Sequence, residues 1–254
     1  MRRGAGLGFA VWLVLALPAQ AATVAPSPFA GWAAVVVAGD WRAHGGGPSE
    51  AFDNARRDVA RALLSAGFQP QNLREFSTRP QRYKPHPGKS DIDAVYGALS
   101  ALAARAQDGC LVYFTSHGAP QGVVVDDQLL APGVLGAMLD QACQARPTIA
   151  IISACFSGVF VPELAGPNRM VLTAARPDRT SFGCGESDRY PYFDDCFLRA
   201  FGTAHDFPQL GLAVQTCVAR REIETGSQPP SEPQLFVGAG LRPLLPLYTL
   251  PAGY

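Results

Sequence analysis

Runs of consecutive apolar, β-branched residues constrain the fold of this chain more than any other feature. Trp32 to Ala38 (WAAVVVA), Cys110 to Thr115 (CLVYFT) and Thr148 to Ser153 (TIAIIS) lack the alternation of a strand with one solvated face. Arg169 to Ala174 has the same character. Such runs are typical of strands buried on both faces, as in a parallel sheet.

Segments with helical periodicity separate these strands. Ser49 to Ala66 carries apolar residues three and four positions apart and stops at Gly67, and Ser90 is a candidate N-cap for the next helix. The alternation predicts an α/β fold: a three-layer sandwich with a mostly parallel central sheet and helices on both faces. The remaining predicted helices are Asp91 to Ala106, Pro132 to Cys143, Phe193 to Ala204 and Phe207 to Arg221; the short strands are Leu73 to Phe76 and Gln234 to Val237, with a hairpin of Gly122 to Val125 and Gln128 to Leu130.

The N-terminus has the pattern of an export signal. Arg2 and Arg3 precede an apolar run, and Ala19-Gln20-Ala21 resembles a cleavage site. We therefore predict a signal peptide at residues 1–21, one domain at residues 30–240 and an extended C-terminal tail at residues 241–254. An uncleaved anchor is the alternative, but the run is shorter than the roughly 20 residues of a spanning helix. The expectation is an exported protein, periplasmic or secreted, without stable membrane insertion after cleavage.

Charge and motifs exclude several classes of partner. Basic and acidic residues balance to a formal net charge of zero, which argues against nucleic acid as a partner. No zinc motif, EF-hand or phosphate-binding glycine loop is recognisable, so we expect no metal and no cofactor. The oligomeric state is left open.

The chain has six cysteines, and in an exported protein they can form disulfides, because oxidising compartments favour these bonds. Cys110 begins one predicted strand and Cys143 ends the helix before the next, so these two could meet at one end of the sheet. Among Cys184, Cys196 and Cys217 one further bridge is possible.

A candidate catalytic pair follows two of the strong strands. CLVYFT runs into Ser116-His117-Gly118, and TIAIIS runs into Ala154 and Cys155. Open α/β sheets bind ligands beyond the carboxyl ends of their strands. A histidine beside a thiol can take its proton and later protonate a leaving amine. The alternative is a structural cysteine with an unrelated, solvated histidine.

The segments YFTSHG (Tyr113 to Gly118) and ISACFSG (Ile152 to Gly158) resemble the His-Gly and Ala-Cys-x-Ser-Gly blocks of the legumain family of cysteine peptidases. The chain looks like a bacterial-type, secreted member. The resemblance implies a caspase-like fold and a cysteine endopeptidase that hydrolyses peptide bonds of a peptide or protein substrate through a thioester. It assigns Cys155 as nucleophile, His117 as its proton-transfer partner, and the N–H groups of Gly118 and Cys155 as the oxyanion hole.

The resemblance also assigns a substrate pocket. Ser181 and Asp195 match pocket residues of the family, and Ser116 and Phe156 flank the catalytic pair, with Phe156 where the family has an acid. An Asp195 carboxylate at the pocket floor would accept a basic residue at P1, the position just before the cleaved bond. His44 could line the site or be a solvated loop residue.

Two alternatives stay open at this point. Cys184 could pair with Cys196 and brace the pocket wall, or Cys196 could pair with Cys217 and leave Cys184 as a free thiol. The activity itself could be transpeptidation or transamidation by the same pair, or the chain could be a non-catalytic peptide-binding protein of the cell envelope.

Overall fold

The computed structural model describes residues 1, 4 and 27–251. The predicted signal peptide, apart from residues 1 and 4, lies outside the described part of the chain, as do the last three residues of the tail. Across the described residues, none of the helices combines the length and apolar character needed to cross a membrane.

A central sheet of seven strands forms the middle layer, in the order β10-β9-β8-β4-β1-β2-β3. All neighbours pair in parallel except β10, which runs antiparallel to β9. The four strong apolar runs occupy the second to fifth positions of this order, all inside the sheet, as their burial on both faces requires. The strands are β1 Trp32–Ala38, β2 Leu73–Ser77, β3 Gly88–Lys89, β4 Gly109–Thr115, β8 Thr148–Ser153, β9 Arg169–Thr173 and β10 Gln234–Val237.

Helices cover both faces of the sheet. On one face, the buried residues of α1, α5 and α6 form a core with alternate strand residues such as Tyr113 and Ile151. On the other, α2, α3 and α4 pack against the intervening residues, such as Val112 and Ile152. The helices are α1 Ala51–Ser65, α2 Ile92–Arg105, α3 Pro132–Cys143, α4 Phe160–Leu164, α5 Tyr192–Phe201 and α6 Phe207–Thr225. The predicted three-layer α/β sandwich is confirmed.

A small antiparallel sheet extends from the end of β4. The predicted hairpin forms from β6 (Gly122–Val125) and β7 (Gln128–Leu130), and β5 (Gly118–Ala119) adds a third strand. Because β5 begins directly after His117, this sheet holds the segment that follows the histidine.

Two expectations about local structure are wrong: the N-cap of helix α2 and the extended form of the C-terminal tail. Helix α2 is capped by Asp91, whose Oδ1 accepts a hydrogen bond from Ala94 N, and not by Ser90. Ser90 is buried and its hydroxyl donates to Ala38 O at the end of β1. The serine one position before the cap thus serves the sheet, while the aspartate accepts from the first turn of the helix, whose N–H groups have no partner within the helix.

The C-terminal tail is not extended. It forms turns and a short 3₁₀ helix, Leu245–Leu247, and the side chain of Leu245 is fully buried in the core on the α1 face. The ring of Tyr248 meets Trp32 edge to face at 5.1 Å. Apolar burial therefore joins the described part of the tail to the domain.

Two disulfides resolve the cysteine alternatives. Cys110 bonds to Cys143, and Cys196 to Cys217, which joins α5 to α6. Cys155 and Cys184 are the free cysteines of the described chain. Two disulfides in one domain are typical of an oxidising compartment.

A buried carboxylate ties α5 to the ends of β4 and β8. Asp194 is fully buried and accepts hydrogen bonds from Tyr113 Oη (2.6 Å), Thr115 Oγ1 (3.1 Å) and Ser153 Oγ (2.6 Å). Burial raises the pKa of Asp194 to about 6, against the lowering effect of the three hydroxyl donors, Ser153 first. The carboxylate thus lies directly beneath the strands that lead to His117 and Cys155.

We expect Asp194 to make the folded protein less stable as pH rises from about 4 to 7. Its folded pKa lies above its ordinary value of 3.8, so the folded state holds the proton more tightly and loses that advantage on ionisation. The difference is worth about 3 kcal/mol. Denaturant unfolding of Asp194→Asn across this range should lack that decline.

The exposed Asp127 provides the control, since Asp127→Asn makes the same chemical change at the surface. If the stability of the wild-type protein and that of Asp194→Asn changed in parallel with pH, the raised pKa assigned to Asp194 would be contradicted.

Candidate active site

The pairing of β4 with β8 brings the two predicted catalytic segments together. Thr115 lies opposite Ser153 in parallel register, and Ser116 N donates to Ser153 O at 3.0 Å just beyond the strand ends. His117 and Cys155 therefore leave the same edge of the sheet from neighbouring strands.

Gly118 lies directly against the backbone of Cys155. A Cβ atom on Gly118 would stand 2.2 Å from Cys155 O and 3.0 Å from the Ala154 side chain. Only glycine allows so close an approach. The residue after the histidine is thus in contact with the residue that carries the thiol.

The thiol of Cys155 is held by the segment around Ser181. Ser181 N donates to Cys155 Sγ at 3.2 Å, and the carbonyl and hydroxyl oxygens of Ser181 each lie 3.6 Å from the sulfur. Phe156, the next residue, adopts a left-handed backbone conformation with φ of 58°, which residues other than glycine rarely adopt. Its N–H donates to Arg179 O at 2.7 Å and holds the turn.

The ring of His117 is oriented by a backbone carbonyl. Nε2 lies 2.9 Å from Arg42 O, and the edge of the ring meets Phe52 with centroids 5.1 Å apart. Because a carbonyl only accepts, Nε2 must carry the hydrogen, and Nδ1 is the basic nitrogen of the neutral ring. No hydrogen bond joins this ring to Cys155 Sγ within the described residues; such contacts often tighten only with substrate bound.

Asp40 fixes the turn that presents the Arg42 carbonyl. Its buried carboxylate accepts hydrogen bonds from Trp41 N at 2.6 Å and from Arg42 N at 3.0 Å, and it pairs with the Arg42 guanidinium. The sequence analysis did not single out Asp40. An Asp two residues after a buried strand was the available signal, whereas a carbonyl partner leaves no trace in residue type.

Two backbone N–H groups beside the thiol have no partner in the described part of the chain. Val124 N donates to His117 O, so Gly118 and Val123 form a non-hydrogen-bonded pair and Gly118 N points away from the hairpin. Cys155 N likewise makes no hydrogen bond among the described residues. Free N–H groups on adjoining backbones suit a developing oxyanion.

A cavity of about 360 Å³ adjoins the thiol. Ser181, one of the expected pocket residues, lines it, and so does His44, whose N–H donates to Cys184 O. Ser116 and Phe156 do not: Ser116 is 4% exposed and lies against Gly39 under the hairpin. The lining residues are His44, Cys155, Thr180, Ser181, Phe182, Gly183, Cys184, Gly185 and Asp188.

Asp195 lies outside this cavity, contrary to prediction. Successive residues of a helix point about 100° apart. On α5, Asp194 therefore faces the sheet while Asp195 faces α6, where its carboxylate pairs with Arg199 and Arg221. The carboxylate that lines the cavity is Asp188, from the loop before α5, a residue that sequence reasoning missed.

Cys184 shares the cavity wall with Cys155. Burial, and then the proximity of Cys155 and Asp188, raise the pKa of the Cys184 thiol to about 11. Its thiol is therefore almost wholly protonated at neutral pH. Among the described residues, no cluster of His, Cys, Asp and Glu is arranged to hold a metal ion.

The seven-stranded, mostly parallel sheet with helices on both faces is a caspase-like α/β fold. Caspase-1 from Spodoptera frugiperda has a similar solved structure, with a TM-score of 0.60 at 15% identity over 89% of this chain and 94% of that one. A model described as the peptidase C13 family matches residues 88–228, more than half of the chain and including both His117 and Cys155. The chain belongs to the peptidase C13 family, the legumain family that the motifs indicated. It is a cysteine-type peptidase with a protein substrate. No curated protein matches the sequence.

We expect a neutral alkylating reagent to modify Cys155 before Cys184 at pH 7.5. Only the thiolate reacts, and the raised pKa of Cys184 leaves it almost no thiolate. Peptide mapping after a short exposure to iodoacetamide would measure both sites. Cys184→Ser should keep the label and Cys155→Ser should lose it; rapid labelling of Cys184 would contradict the assignment.

Proposed function

We propose that this protein is an endopeptidase that cleaves peptide bonds through a thioester formed on Cys155, with His117 as its proton-transfer partner. The observation that carries the proposal is the contact of Gly118 with the Cys155 backbone. That contact joins the histidine segment to Cys155, which lines the cavity.

Acylation follows from the orientation of the histidine ring. With Nε2–H donated to Arg42 O, Nδ1 takes the proton from the Cys155 thiol as sulfur attacks the scissile carbonyl carbon. The N–H groups of Gly118 and Cys155 hold the resulting oxyanion. The C–N bond then breaks, and the imidazolium returns the proton to the leaving amine, which leaves a thioester on Cys155.

Deacylation reverses the proton movements. A water molecule gives a proton to the His117 ring as its oxygen attacks the thioester carbonyl. The tetrahedral intermediate collapses, the thiol leaves with the proton, and a carboxylic acid product is released. The same N–H groups serve both steps, so the backbone need not rearrange between them.

We propose that the protein is of the bacterial, exported type. It then acts in an oxidising compartment outside the cytoplasm. The two disulfides and the N-terminal charged and apolar pattern support this location.

Substitution of either residue of the proposed catalytic pair should strongly lower peptide hydrolysis. We expect Cys155→Ala to lower kcat/KM for peptide hydrolysis by about 10⁴-fold or more, and His117→Ala by about 10²- to 10⁴-fold. Cys184→Ala, which removes the other free thiol of the same cavity, is the matched control and should retain activity. Activity that survives in Cys155→Ala would refute the nucleophile assignment.

Hydrolysis and transamidation differ only in what attacks the thioester. We expect water to be the acceptor, because no nucleophile other than solvent is needed for deacylation by the His117 ring. Mass spectrometry of products formed with and without added hydroxylamine and glycine amide would measure this. A carboxylic acid product that is largely replaced by the glycine amide adduct would favour transamidation.

A further inference from the structure

We propose that the cavity beside Cys155 binds a lysine or arginine side chain of the substrate, and that Asp188 is the residue that selects it. This inference rests on the proposed function, since it gives the substrate class of the same site.

The cavity has one carboxylate and no basic arginine or lysine in its lining. The rest of its lining comes from Cys155, from the segment 180–185, which includes Phe182 and Cys184, and from His44, whose N–H donates to Cys184 O. A long side chain can lie along such apolar atoms while its charged end reaches a polar group. The volume of about 360 Å³ accommodates a side chain of that length.

The charge of Asp188 has no cationic partner among the described residues. Its Oδ2 accepts a hydrogen bond from Gly185 N at 2.7 Å, which closes the loop, and it forms no ion pair there. The neighbouring acids differ: Asp178 pairs with Arg176 and Arg179, and Asp195 pairs with two arginines on the α6 side.

A partly buried carboxylate without a counter-charge favours a cationic ligand over a neutral one of equal shape. Removing its water costs free energy that a ligand's positive charge offsets, and attraction is stronger in the partly apolar cavity than in water. The effect of Asp188 on the neighbouring Cys184 thiol indicates that its field reaches the cavity wall. An acidic ligand side chain would meet repulsion instead.

The location of Asp188 distinguishes this cavity from a general acidic surface. Glu186 lies two residues away on the same loop, but it is exposed and its carboxylate packs against Gly47, outside the lining. Selection by Asp188 should therefore depend on one carboxylate and not on the overall charge of the loop.

The test compares peptide substrates that differ only in charge at P1. Arginine and citrulline have nearly the same shape, and only arginine is charged. We expect kcat/KM for arginine to exceed that for citrulline by about 10- to 100-fold, the range of a partly exposed charge-assisted hydrogen bond. Lysine should exceed norleucine, and aspartate should be the poorest substrate of the set.

Asp188→Asn is the decisive variant, because the amide oxygen can still accept the hydrogen bond from Gly185 N while the charge is lost. The ratio of kcat/KM for arginine to kcat/KM for citrulline should fall to about one. Glu186→Gln, the matched control, should keep the wild-type ratio. An unchanged ratio in Asp188→Asn, or an equal loss in both variants, would overturn the proposal.

Labelling separates this inference from the proposed function. Peptidyl acyloxymethyl ketones with arginine or citrulline at P1 report on Cys155 without turnover. Faster labelling by the arginine reagent, lost in Asp188→Asn, supports both proposals. Labelling that needs Cys155 but ignores P1 charge refutes only the role of Asp188. No Cys155-dependent labelling or cleavage by any reagent of the set refutes the proposed function and this inference with it.

Discussion

The parallel pairing of β4 with β8 is the constraint on which the site depends. It aligns Thr115 with Ser153, and the two loops that follow then approach closely enough that only glycine fits at position 118. Beneath the same strand ends, Asp194 bonds to hydroxyl groups of both strands. The geometry of the thiol and the imidazole is thus a property of the sheet core, and not of flexible loops alone.

The fold could be predicted from the hydrophobic pattern, and the same pattern gives the positions of the two residues that we propose as the catalytic pair. Strands buried on both faces are continuous in sequence, and chemistry in parallel sheets lies beyond their carboxyl ends. Once β4 and β8 were identified, His117 and Cys155 were the reactive residues at their ends. The hairpin and helix α3 could also be predicted from nearby residues, because turn residues mark the hairpin and Pro132 marks the start of the helix.

The pocket could not be predicted in the same way, because it depends on rotation about a helix and on the path of a loop. Asp194 and Asp195 are adjacent in sequence, yet one meets the sheet and the other meets α6. A shift of one residue in the start of α5 would place Asp195 where Asp194 lies. Asp188 enters the cavity through a turn closed by its own carboxylate, and Arg42 acts through its carbonyl, which any residue would provide.

The domain contains both disulfide-bonded and free cysteines, and the two kinds differ in how deeply their sulfur atoms are buried. Cys110, Cys143 and Cys196 are fully buried, with Cys217 half-buried beside its partner, whereas Cys155 faces an open cavity. Thiol–disulfide exchange requires access to sulfur. A small reductant can therefore reach an oxidised Cys155 more readily than the Cys110–Cys143 bridge, both of whose sulfur-bearing residues are fully buried beside the sheet.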